Sequence, residues 1–110
     1  MVDDDAALRM LSRVNLELDG FDVAEAASVA EAEAELQAQR PDVVLLDVHL
    51  GGEQTHNLLA RIRAEEIPVA LVTGSVDVEK YRDTADGVLI KPFAPQDLVA
   101  LARGLAKVSA

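Results

Sequence analysis

The sequence predicts an α/β domain, a parallel sheet with helices on both faces. Three observations predict it. Two apolar runs, Val43-Val44-Leu45-Leu46 and Val69-Ala70-Leu71-Val72, show no alternation and read as short strands buried on both faces. Each run ends on a polar residue, Asp47 or Thr73, with glycines close behind. Strand-like and helix-like segments alternate five times along the 110 residues, and right-handed crossovers turn that order into a parallel sheet.

Composition bounds the rest. This length suits one domain with a single core, and the reading assigns residues 1–110 to it. Half of the residues are apolar but only 3% are aromatic, so the core must be built from Ala, Val, Leu and Ile. There is no cysteine, which rules out disulfides and thiolate metal sites. A formal net charge of −10 argues against nucleic acid or an anionic membrane surface as a direct partner. No apolar run reaches the roughly 18 residues of a membrane span, and no signal peptide precedes the first charges. A cytoplasmic protein is expected, with no linker, repeat or second domain.

The elements follow in order. Met1-Val2 is a very short first strand leading into Asp3-Asp4-Asp5. Asp5 is placed to cap a helix over Ala6–Leu18, with Ala7, Leu11, Val14 and Leu18 inward and Arg9, Arg13 and Glu17 outward. Asp19-Gly20 ends it. Phe21–Ala26 suits a half-buried outer strand. Ser28-Val29-Ala30-Glu31 is a capping box opening a helix to about Gln39, with Val29, Ala32 and Leu36 inward. Pro41 then starts the run that ends on Asp47. Thr55–Glu65 reads as a third helix facing inward through Leu58, Leu59 and Ile62, and Pro68 ends that segment. After Val69–Thr73 a short helix is expected over residues 76–85, anchored by Val78 and Tyr81. Gly87-Val88-Leu89-Ile90 is another buried strand. Pro95 fits the first turn of a last helix, with Leu98, Leu101 and Leu105 at helical spacing.

Four of the five strands now deliver polar residues to the carboxyl edge of the sheet: Asp3 and Asp4, Asp47, Thr73, and Lys91. In open parallel sheets this edge is where ligands bind. Three crowded carboxylates destabilise one another unless a cation sits among them, and an all-oxygen donor set favours a hard ion, Mg²⁺. Asp4 and Asp47 would bind it directly and Asp3 through water, with a backbone carbonyl at His49 completing the set. A lysine and a hydroxyl beside such a cluster make a phosphoryl site, in which Lys91 and Thr73 take up charge while Asp47 attacks. The product is an aspartyl phosphate, and Gly74 leaves room beside Thr73.

The motifs Val2-Asp3-Asp4-Asp5, Leu45-Leu46-Asp47-Val48, Val72-Thr73-Gly74-Ser75 and Leu89-Ile90-Lys91-Pro92-Phe93 resemble those of a response-regulator receiver domain of bacterial two-component signalling. The resemblance covers essentially the whole chain. It implies a flavodoxin-like (βα)5 sheet of order 2-1-3-4-5 and a cis peptide before Pro92. It implies phosphotransfer to Asp47 from the phosphohistidine of a histidine kinase or phosphotransfer protein, and a switched surface that meets a downstream protein target. Homodimer formation is left open.

The chain also departs from that pattern. Only two residues precede the acidic pair, so the central first strand is truncated and leaves a hole in the sheet. Thr73 and Lys91 are 18 residues apart (91 − 73), which makes the fourth helix short. Val88 stands where an aromatic switch residue is usual, so switching would fall on Thr73 and residues 74–86. Gly51-Gly52 replaces a proline-containing loop, and the Leu50–Glu53 loop is similar to that of stand-alone receivers. His49 and His56 read as surface residues, though His49 is placed to tune the hydrolytic water. Two alternatives stay open: an aspartyl-phosphate hydrolase, and a pseudo-receiver that is never phosphorylated.

Overall fold

The computed structural model describes residues 1–48, 53–74 and 85–109. Three parallel strands, β1 (Val44–Asp47), β2 (Val69–Thr73) and β3 (Gly87–Ile90), lie in the order β1-β2-β3. Their register pairs Val44 with Val69 and Asp47 with Val72, and then Thr73 with Ile90. Two isolated parallel bridges extend the sheet beyond β1, Val2 with Leu46 and Val2 with Ala26. Read across the sheet, the order is residue 26, residue 2, β1, β2, β3. This is the 2-1-3-4-5 order, with its first two members reduced to single bridges.

That reduction corrects the expected outer strand over Phe21–Ala26. A strand exists only where a neighbour offers a ladder, and here the neighbour's ladder is the single bridge of Val2 to Ala26. Val2 N–H donates to Leu45 O at 2.8 Å and Asp47 N–H to Val2 O at 2.9 Å. On its other side Ala26 N–H donates to Met1 O and Asp3 N–H to Ala26 O, both at 3.0 Å.

The helices are α1 (Ala6–Leu18), α2 (Val29–Ala38), α3 (Glu53–Ala64) and α4 (Pro95–Ser109). Local chemistry sets their ends. Asp5 accepts from the Ala7 and Leu8 amides at 3.0 and 3.1 Å, which satisfies two orphan donors of the first turn. Gly20, at φ +99°, closes α1 in a conformation open to glycine. Ser28 accepts from Glu31 N–H at 3.2 Å while its hydroxyl meets the Glu31 carboxylate, a capping box. The short helix expected over 76–85, with Tyr81, falls almost wholly outside the described residues.

Alternation along β1 and β2 splits the core in two. Val44, Leu46, Val69 and Leu71 pack with Val29, Ala32, Leu58 and Ile62 on the α2/α3 side. Leu45 and Ala70 pack with Leu16, Leu98 and Ala102 on the α1/α4 side. The β3 strand departs from its expected burial: Val88 and Leu89 are half-buried and Ile90 is 51% exposed. Among the described residues β3 is an edge strand, covered less completely than β1 and β2.

The α1 helix is rotated away from its expected orientation. Its buried residues are Ser12 and Leu16, whereas Met10, Leu11, Val14 and Leu18 are exposed, Leu18 at 82%. Arg9 and Arg13, expected outward, are half-buried. Arg9 Nη1 donates to the Asp3 backbone carbonyl at 2.7 Å. Glu25 receives Arg9 Nε at 3.2 Å and Arg13 Nε at 2.9 Å. These charge-assisted contacts, with Leu16, turn the 9-12-13-16 stripe inward, and the apolar stripe follows outward.

Candidate functional site

The ladder places the site. Because Asp47 is level with Val72 and Thr73 with Ile90, the carboxyl ends of the three strands stop at one edge. Lys91 N–H donates to Thr73 O at 2.7 Å, fixing the lysine backbone beside β2. The Lys91–Pro92 peptide that follows is cis, as the resemblance implies. From the other side, the Val2 bridges set Asp3 against β1. Asp3 and Asp47 are 0% and 2% exposed, Thr73 is buried, and Asp4 faces solvent.

Carboxylate oxygens of Asp3, Asp4 and Asp47 all lie within 4.8 Å of one another. Lys91 Nζ stands among them, 3.2 Å from Asp3 Oδ2 and 3.5 Å from Asp47 Oδ2. Burial disfavours the ammonium, but the hydrogen bond to Asp3 and the charge of Asp47 outweigh it and hold Lys91 above its ordinary pKa. Asp3 Oδ1 accepts from Asp5 N–H at 2.9 Å, while Oδ2 is buried and, among the described residues, has only the lysine ion pair to answer it.

Among the described residues, one ammonium, Lys91, stands against the three carboxylates. Oxygen donors this close, one of them poorly satisfied and one open to solvent, fit a hard divalent cation such as Mg²⁺. Asp3, Asp4 and Asp47 are the residues that would hold it. At Gly74 the wall is open, since a Cβ there would meet nothing nearer than Lys91 Cβ at 4.0 Å.

The structure therefore brings Asp3, Asp4, Asp47 and Lys91 together, with Thr73 at the same edge. His49, expected to offer a backbone carbonyl, lies outside the described residues. His56 is exposed on α3. Arg9, behind the site on the Asp3 carbonyl, was not anticipated from sequence. Its place on the stripe with Ser12, Arg13 and Leu16 is the signal that could have found it.

The comparisons with known proteins give the family. The response regulator receiver domain family matches residues 1–103. The phosphate regulon transcriptional regulatory protein PhoB of Pseudomonas aeruginosa is 34% identical over 108 residues, covering 91% of this chain and 47% of that protein. The DNA-binding response regulator MtrA of Mycobacterium tuberculosis is also 34% identical over 108 residues, covering 94% and 47%. This chain thus spans about half the length of the relatives it matches. Among solved structures, the receiver domain of NtrX from Brucella abortus superposes with a TM-score of 0.86 at 26% identity, covering 96% of this chain and 95% of that one. A CheY-like receiver domain protein from Methanospirillum hungatei gives 0.86 at 25%, covering 98% and 91%. The chain belongs to the response regulator receiver domain family of two-component signalling.

Proposed function

We propose that this chain is a phospho-accepting receiver in which Asp47 takes a phosphoryl group from the phosphohistidine of a histidine kinase or phosphotransfer protein. A carboxylate oxygen of Asp47 bonds to phosphorus as the P–N bond breaks, and the bonding pair stays on the imidazole nitrogen. Bound Mg²⁺, held by Asp3, Asp4 and Asp47, would supply charge neutralisation at the phosphoryl oxygens. Lys91 moves its hydrogen bonds from carboxylate to phosphoryl oxygen, and Thr73 donates its hydroxyl from the end of β2. The phosphorylated domain then presents an altered surface to a downstream protein.

The observation that carries this reading is the meeting of three carboxylates and one lysine at the carboxyl edge of a parallel sheet. A pseudo-receiver has no use for that set, and receiver domains are signalling domains rather than hydrolases. With its net charge of −10, the chain itself is not proposed to touch DNA. Intact mass after treatment with phosphoramidate tests the reading. One phosphoryl group should appear with Mg²⁺ and none after chelation. No mass change under either condition would leave the pseudo-receiver.

A further inference from the structure

Arg9 reaches back from α1 to the acidic pair. Its backbone N–H donates to Asp5 O at 2.9 Å in the first turn of the helix. Helical side chains lean toward the helix N-terminus, so the long Arg9 stem can pass over that turn and meet Asp3. There Nη1 donates to the Asp3 carbonyl at 2.7 Å, and the side chain is only 18% exposed.

That carbonyl belongs to the peptide joining Asp3 to Asp4. A peptide unit is planar, so a bond to its oxygen also orients its other end, where Asp4 begins. The peptide before Asp3 is held as well, because Asp3 N–H donates to Ala26 O at 3.0 Å. The backbone of Asp3 is thus set between two pinned planes, and its carboxylate is fixed separately by the Asp5 amide and Lys91. Asp4 is exposed, so its carboxylate is aimed by its backbone rather than by packing. Arg9 holds the plane from which Asp4 projects.

An uncompensated cation this close would oppose a metal ion. Arg9 Nε meets Glu25 at 3.2 Å, Glu25 also takes Arg13 Nε at 2.9 Å, and Arg13 Nη1 meets Glu17 at 2.8 Å. Two arginines and two glutamates make this network formally neutral. Arg9 therefore supplies a directed donor with little net charge.

We propose that Arg9 is a positioning residue for Mg²⁺, holding the Asp3–Asp4 peptide so that both carboxylates face one ion. The proposal rests on the phospho-receiver reading and adds to its donor set a residue that never touches the metal. By linkage, Mg²⁺ uptake strengthens the Arg9 contact as much as the contact strengthens Mg²⁺ binding.

The test is calorimetric titration of the full chain with MgCl₂, joined to NMR of the arginine Nε–H groups. Arg9→Met keeps an apolar stem and should weaken binding about fivefold or more. Arg9→Lys restores one donor and should fall between wild type and Arg9→Met. Leu16→Ala loosens α1 away from Asp3 and should stay within about twofold of wild type. In wild type itself, the Arg9 Nε–H resonance should shift on the isotherm of the Asp4 amide, and by more than Arg13 Nε–H. Arg9→Met binding as tightly as wild type would overturn the proposal. So would Leu16→Ala losing as much as Arg9→Met, or an Arg9 Nε–H that MgCl₂ leaves unmoved. Wild type that takes up no Mg²⁺ would overturn the donor set itself, and this proposal with it.

Discussion

Lys91 stands closer to Asp3 than to Asp47, at 3.2 Å against 3.5 Å. The lysine contacts both carboxylates. Its nearer partner is a fully buried carboxylate, one held by the Asp5 amide and the Val2 bridges. The ammonium can therefore leave Asp47 for another anion without losing its main counter-charge. Asp3→Asn should lower the Lys91 pKa, and by more than Asp47→Asn does. Titration of the Lys91 side chain by NMR checks the order, and a larger drop in Asp47→Asn would reverse the assignment.

The same ion pairs make stability depend on alkaline pH. Lys91 has its folded-state pKa raised above the ordinary 10.5, so its contribution is complete below that value. It is lost as pH climbs through the folded-state pKa. Urea midpoints from pH 9 to 12 should fall more steeply for wild type than for Lys91→Met.

Asp47→Asn should accept no phosphoryl group under conditions where wild type takes one. Asp4→Asn, altering the solvent-facing donor, should leave the fold intact and weaken Mg²⁺ binding about tenfold or more, about 1.4 kcal/mol. Calorimetric titration with MgCl₂ reads the second effect, and unaltered affinity would remove Asp4 from the donor set.

Substitutions in α1 separate the observed orientation from the expected one. Leu16→Ala should cost about 2–5 kcal/mol, as buried leucines do, while Leu11→Lys and Leu18→Lys should stay within about 0.5 kcal/mol. Arg9→Ala should cost about 1–3 kcal/mol by leaving the Asp3 carbonyl unanswered and Glu25 with Arg13 alone of its two arginines. Ser12→Ala should stabilise by up to about 1 kcal/mol, because the Ser12 hydroxyl is buried with no partner among the described residues. Urea denaturation of the five variants gives the comparison.

These residues also show what the sequence could and could not reveal. Two-sided burial leaves a continuous apolar run, so Val69–Thr73 was legible to the residue and β1 to within one. Caps act within four residues, so Asp5, Gly20 and Ser28 were legible too. The orientation of α1 was not. Its decisive partner, Glu25, lies 16 residues from Arg9, and the arginine stems pack inward while their heads are paired. The outer strand failed for a related reason, since its ladder depends on a partner distant in sequence, Val2, which meets it at Ala26 alone. At the site, strand ends and residue types pointed to Asp3, Asp4, Asp47, Thr73 and Lys91, but not to which carboxylate stands nearest the lysine.

The outward stripe of α1 has a colloidal consequence. Met10, Leu11, Val14 and Leu18 form a sticky strip on a body whose net charge of −10 keeps copies apart. That repulsion reaches about 10 Å in 0.1 M salt and only about 3 Å in 1 M. It vanishes as pH approaches about 4.4. Concentrated solutions should therefore turn attractive on acidification or salting, with α1 as the first point of adhesion. Leu18→Glu should weaken that adhesion by breaking the apolar strip, seen as a less negative second virial coefficient than wild type under the same conditions.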